Sequence, residues 1–190
     1  MPRNDRRRSE LADAGIRVLA RDGTRGLTHR SVDAEAGMPT GTASNYFRSR
    51  SALVGALVTR IGERLAPDLD ALAPLAEREP SAAVFADYLR DIVKRLSTDR
   101  DATLALFELR LEAARRPEVA EPLGEWMRAG FAGDVAFNRE AGLPGGPREI
   151  AMFHYAVDGL LLDRLTLSID PDVDTDAVID ALAAGLLPRR

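Results

Sequence analysis

The chain of 190 residues contains no cysteine, so a disulfide framework, a thiolate zinc site and a cysteine nucleophile are all excluded. Lysine occurs once, at Lys94, and nearly all positive charge is arginine. Aromatic residues make up 5% of the chain, with a single tryptophan, Trp126. Nowhere do eighteen apolar residues run uninterrupted, and the start, MPRNDRRRSELADAG, has neither an apolar signal core nor a cleavage site. These absences point to a soluble, cytoplasmic protein. What is present is 45% hydrophobic content, enough for a core, and a formal net charge of -4 that is unevenly distributed. Residues 1–50 hold ten Arg against six Asp and Glu, a net +4, which leaves -8 for residues 51–190. A basic head that meets phosphate on an acidic body that does not is one reading; surplus surface arginine is the other.

Periodicity is helical almost throughout, with apolar residues recurring at three and four and no sustained alternation, so the expected fold class is all-α. A first helix carries Leu11, Ala14, Val18 and Leu19 on one face and stops at Asp22-Gly23. Thr28 suits the N-cap of a short second helix ending at Ala36-Gly37, a third is expected from about Thr40 to Phe47, and a fourth runs from Ser49 or Arg50 through Leu65. Prolines at 67, 74 and 80 suggest a connection with one short helical turn. Helices follow from Ser81 through Leu96, from Asp101 to Arg116 where Pro117 stops it, from Pro122 to Ala141, from Pro147 to Ser168 and from Thr175 to Leu187. About nine helices are expected, divided into a head over 1–48, a connecting helix over 49–66 and a body over 67–190.

The helix from Pro147 has two apolar sets. Ile150, Phe153, Val157, Leu160, Leu161 and Leu165 form one; Met152, Tyr155, Gly159, Leu162 and Ile169 form the other. Val178, Ile179, Leu182, Leu186 and Leu187 give the last helix a similar double set. Two buried faces need two things to pack on, which suggests a symmetric four-helix homodimer interface from the last two helices; the alternative is that both are central in one bundle.

Residues 28–47 have the shape of a helix-turn-helix, whose second helix must enter a major groove about 12 Å wide. Its run Thr40-Gly41-Thr42-Ala43-Ser44-Asn45-Tyr46-Phe47 is small and polar, poor for a core and good against DNA. Thr42 and Ser44 can bond phosphate or base edges, Asn45 can pair with adenine, Tyr46 can reach a phosphate and Gly41 permits close approach. In isolation, an exposed polar helix of no function reads the same way.

Taken together, Asp22-Gly23, Leu27-Thr28, Ala34-Glu35-Ala36-Gly37, Gly41-Thr42, Tyr46-Phe47, Ser49-Arg50 and Ala52-Leu53 resemble, in order and spacing, the N-terminal signature of TetR-type repressors over about residues 7–58. Asp158-Gly159-Leu160 also resembles that family's body. The resemblance implies a homodimeric regulator that binds a palindromic double-stranded operator and is released by a small-molecule effector, without catalysis, cofactor or membrane. It implies recognition-helix contacts from Thr40, Thr42, Ser44, Asn45 and Tyr46, phosphate contacts from Thr28, His29, Arg30 and Arg50, and a core position for Phe47. Three residues depart from the pattern: Pro39 stands where a Ser or Thr cap is common, Asp33 where a small residue is usual, and Ser44 where an aromatic is common. Capping is then expected to pass to Thr40, and Asp33 to point away from phosphate. Arg3, Arg6, Arg7 and Arg8 are expected to precede the first helix as a basic arm on DNA, or as a frayed terminus.

For an effector, Phe85, Tyr88, Phe107 and Trp126 are candidate pocket walls, and Arg110, His154 and Asp158 candidate polar anchors; each aromatic reads equally as core. His154 and Asp158, at i and i+4, lack a third metal ligand, so no metal site is expected. The same residues with Arg110 could serve a small-molecule enzyme, although no nucleophile motif or phosphate loop accompanies them. The alternative to a regulator is therefore a helical ligand-binding protein or enzyme whose helix-turn-helix no longer binds DNA.

Overall fold

The computed structural model describes residues 3–188, with Arg3 in backbone only. Ten helices and no strand occur among the described residues. The expected all-α class holds, and the count exceeds nine because the connection after Ala66 contains a helix of its own.

The chain forms two compact units, residues 1–66 with 99–127 and residues 67–98 with 128–190. In the first, α1 (Arg3–Gly26) packs against α2 (His29–Glu35), α4 (Arg50–Arg64) and α7 (Arg100–Ala113), while α2 also packs on α3 (Thr42–Tyr46). Its core is Leu11, Ile16, Val18, Leu19, Leu27, Phe47, Leu53, Leu57, Ile61 and Leu109, all almost fully buried. Each such side chain contributes about 1.5–3 kcal/mol by leaving water. At Gly23 the chain takes φ +66°, so α1 bends where the sequence puts its stop. Gly15 lets α4 approach closely, since a Cβ there would lie 2.6 Å from Leu57 Cδ2.

Between the expected arm and the structure there is a clear difference. Arg6, Arg7 and Arg8 do not precede the first helix but lie within α1, and the side chain of Arg3 falls outside the described residues. Arginine is a good helix former, Asp5 sits in the first turn where the helix dipole favours it, and Arg6 Nε donates to Glu10 one turn on at 2.8 Å.

Caps also shape the second unit. Asp68 accepts from the N–H of Asp70 and Ala71 to open α5 (Leu69–Ala76), which tolerates Pro74 near its end. There α6 (Ala82–Thr98), α9 (Pro147–Leu165) and α10 (Thr175–Leu186) pack around Val84, Phe85, Leu89, Phe153, Val157, Leu161 and Ile179. Arg90 on α6 pairs with Asp180 on α10. The intervening α8 runs Pro117–Glu140, five residues earlier than expected from Pro122. Pro117 does not merely end α7: it stands at the first helical position, where a missing N–H costs nothing, and the Arg116 carbonyl accepts from Val119 and Ala120 at 3.0 Å. Buried Asn138 then donates to the carbonyls of Leu143 (3.3 Å) and Gly145 (3.0 Å), fixing the turn into α9.

Candidate nucleic-acid interface

The head begins with a helix pair set at its entry and exit. Thr28 N-caps α2: the Ser31 N–H donates to Thr28 Oγ1 (3.0 Å), and the Thr28 N–H donates to Ser31 Oγ (2.9 Å). On the opposite side, Glu35 accepts from Arg17 Nε (2.7 Å) and Arg21 Nη1 (2.8 Å), tying α2 to α1. The Arg17 bond, followed by that from Arg21, holds the Glu35 carboxyl below its usual range.

What aims the recognition helix is Asp33. Its side chain is 2% exposed, and its oxygens accept from the N–H of Gly41 (2.7 Å) and of Ala43 (2.6 Å) at the start of α3. Thr40 does not take the cap; α3 starts two residues later than expected, at Thr42, with Gly41 as N-cap at φ +96°. Pro39 supplies no hydroxyl, so the capping oxygens come from the neighbouring helix instead. Asp33, expected to point away from phosphate, is buried as the clamp between the two helices.

The side chains of α3 then differ in what they can still offer. Ser44 and Asn45 are exposed, Thr42 and Tyr46 half-buried, Ala43 and Phe47 buried. Thr42 Oγ1 donates to Pro39 O (2.6 Å) and Ser44 Oγ to Gly41 O (2.9 Å), so both hydroxyls turn their protons inward and present lone pairs. Asn45 is exposed, and its amide makes no hydrogen bond among the described residues. Phe47 is fully buried, with the Arg8 guanidinium 4.9 Å from its ring centroid.

Among the four expected phosphate contacts, three are otherwise engaged, Thr28 through its cap on α2. Arg50 donates through Nη1 to Leu27 O (2.9 Å) and through Nη2 to Thr24 O (3.0 Å), clamping the α1–α2 connection. His29 donates through Nε2 to Phe47 O (2.6 Å), linking α2 to the end of α3. Thr28 and Arg30 are exposed. Arg48, which the sequence reading passed over, is exposed directly after α3 and makes no ion pair among the described residues; only its place beside the buried Phe47 could have marked it.

A two-helix head of this form is joined by a match along the rest of the chain: a family model described as tetracyclin repressor-like, C-terminal domain, covers residues 80–189. The chain belongs to the TetR family. It is accordingly a DNA-binding transcriptional regulator. No curated protein sequence matches it. Among solved structures it is similar to the multidrug binding protein EbrR complexed with imidazole, at 28% identity and TM-score 0.71, covering 97% of this chain and 96% of that one. The ethidium complex of EbrR gives 28% and 0.72 over 96% and 99%. A TetR family member from Streptomyces coelicolor A3 gives 25% and 0.70 over 99% and 100%.

In this TetR-family chain the candidate effector residues divide between the units. Phe107, Arg110 and Trp126 belong to the first, and Phe85, Tyr88, His154 and Asp158 to the second. Phe85 is core, its ring 4.7 Å from that of Phe153. Tyr88 packs edge-on against Phe137 at 5.2 Å. His154, one turn before Asp158, places Nε2 3.0 Å from Asp134 Oδ2 on α8, with Phe131 against its ring. Trp126 lines a groove of the first unit with Arg8, Ala12 and Gly55. No helix among the described residues is long and apolar enough to cross a membrane.

Proposed function

We propose that the protein is a repressor that binds a palindromic operator as a homodimer and leaves it when a small molecule binds. The observation that carries the DNA reading is the exposed Asn45 on a short helix whose N-terminus is clamped by Asp33. Asn45 reads a base edge, Ser44, Thr42, Thr40 and Tyr46 contact the neighbouring backbone or bases, and Gly41 allows approach. Thr28, Arg30 and Arg48 meet phosphate. His29 and Arg50 act there mainly by holding the head in shape.

Homodimerisation is supported by an apolar face of α9 with nothing on it: Tyr155 is 73% and Leu162 50% exposed, with the open Gly159 between them. Residues 1–48 serve as the DNA-binding domain, 49–66 as the connecting helix and 67–190 as the ligand-binding and dimerisation domain. Release by a small molecule is supported by the similarity to EbrR, solved with imidazole and with ethidium. A ligand that prefers a spacing of recognition helices other than about 34–36 Å shifts the population from the DNA-competent form.

The test is a titration of the purified protein against its own upstream DNA at two salt concentrations, with Asn45→Ala and Tyr46→Ala variants. Tight, salt-dependent binding that the variants lose is expected. Absence of specific binding at either salt concentration overturns the reading and leaves a ligand-binding protein of the same fold.

A further inference from the structure

His29 is the first residue of α2, between the exposed Thr28 and Arg30, and its half-buried ring reaches the end of α3. Its Nε2 stands 2.6 Å from Phe47 O. A backbone carbonyl only accepts, so Nε2 carries a proton, and a neutral imidazole has no second one to give. The other ring nitrogen, Nδ1, makes no hydrogen bond among the described residues and is open to solvent: the partnerless side-chain nitrogens closed off from it are Arg50 Nε and Arg164 Nε. In the neutral ring Nδ1 presents a lone pair, which repels a phosphate oxygen. A second proton turns the same atom into a charged donor.

The charges on the elements around the ring are mostly positive. On α1, Arg8 holds its guanidinium over the Phe47 ring. Arg30, Asp33 and Glu35 belong to α2 itself, and Arg48 and Arg50 follow α3. Both carboxylates are already taken, Asp33 by the N–H of Gly41 and Ala43, and Glu35 by Arg17 and Arg21. The free head therefore offers Nδ1 no anion to hold a second proton. A DNA phosphate lying across Thr28, Arg30 and Arg48 supplies one.

We propose that His29 is a proton-linked phosphate contact: Nε2 keeps the end of α3 in place, while operator binding draws a proton from solvent onto Nδ1, which then donates to the phosphate. One N–H bond forms per subunit and none breaks in the protein. Histidine is suited to this because its ordinary titration falls between about pH 5 and 8. The proposal rests on the operator reading above and adds a sign to it: the complex holds more protons than its parts, so affinity rises as pH falls.

The experiment is calorimetric titration of the full-length protein with its own upstream DNA, in Hepes and in Tris at about pH 7.5, with affinities also measured at about pH 6 and about pH 8. The buffer dependence of the heat counts protons. Uptake approaching one proton per subunit is expected, with binding about tenfold or more tighter at the lower pH. His29→Gln keeps an N–H for Phe47 O and is expected to bind operator with no uptake and a pH response of about twofold or less. His154→Gln, in the second unit, should leave the uptake unchanged. Nitrogen-15 spectra of the wild-type ring answer independently of any variant: His29 is expected to carry its proton on Nε2 alone in the free chain and on both nitrogens in the complex. Operator binding without proton uptake, equal uptake by His29→Gln, or a neutral His29 ring in the complex removes the proton linkage and leaves the operator reading standing. No operator binding at any pH removes both.

Discussion

Asp33 carries more of the head's geometry than any residue that faces outward. Two backbone N–H groups at the start of α3 end on its carboxylate, and in a site 2% exposed no water replaces it. Asp33→Ala is expected to lower stability by about 1–3 kcal/mol, read as a fall in the urea midpoint at unchanged slope. Asp33→Asn keeps one acceptor and should fall between. Operator affinity is expected to drop in both, because the helix carrying Asn45 loses its anchor. At this scale the sequence was only partly legible: that Asp33 turns from phosphate follows from its charge, but that it meets Gly41 and Ala43 depends on the crossing of two helices. Arg50 is parallel, since its carbonyl partners stand 23 and 26 positions away.

Helix α4 holds two glycines whose replacement should move stability in opposite directions. At Gly55 a methyl meets open space, and Gly55→Ala is expected to stabilise by about 0.5–1 kcal/mol through helix propensity. At Gly62 the methyl would strike the Trp126 indole, so Gly62→Ala is expected to destabilise and to shift the tryptophan emission. Parallel urea melts of the two variants check both signs. Helix α7 is tied down by its N-cap, Asp99, which accepts from Arg64 Nε (2.7 Å) and Nη2 (2.5 Å). Burial pushes that carboxyl up, but the Arg64 bonds prevail and hold it below the usual range. A carboxyl lowered in the folded state binds protons less readily there than when unfolded. Its stabilisation is thus full above the ordinary carboxylate range and is lost as pH falls through the lower folded value. Thermal melts from about pH 6 to about pH 3 should show this loss, with a shallower dependence in Asp99→Asn. Periodicity located these helices, whereas the start of α8 at Pro117 escaped it because proline is both a stop and a first residue.

For the whole molecule, the basic head and the exposed face of α9 make separable predictions. Arg30→Ala and Arg48→Ala are each expected to weaken operator binding across sequences and to reduce the slope of log affinity against log salt by about 1. Leu162→Glu places a charge on the face shared by Tyr155 and Gly159 and should yield a monomer in sedimentation equilibrium. It should also lose the affinity gained from two half-sites.

By itself the sequence determined the helical class, the position of the helix-turn-helix and the family, because each is written in local spacing: apolar residues at three and four, caps and glycines at helix ends, and a signature whose gaps are short. The tertiary structure alone decided which polar groups are engaged. It turned Asp33 and Arg50 to backbone, His29 to the Phe47 carbonyl and His154 to Asp134, and it opened a groove beside Trp126. These depend on distances between helices far apart in the chain, and hydrogen bonding within about 3 Å is too short-ranged to be read from any periodicity.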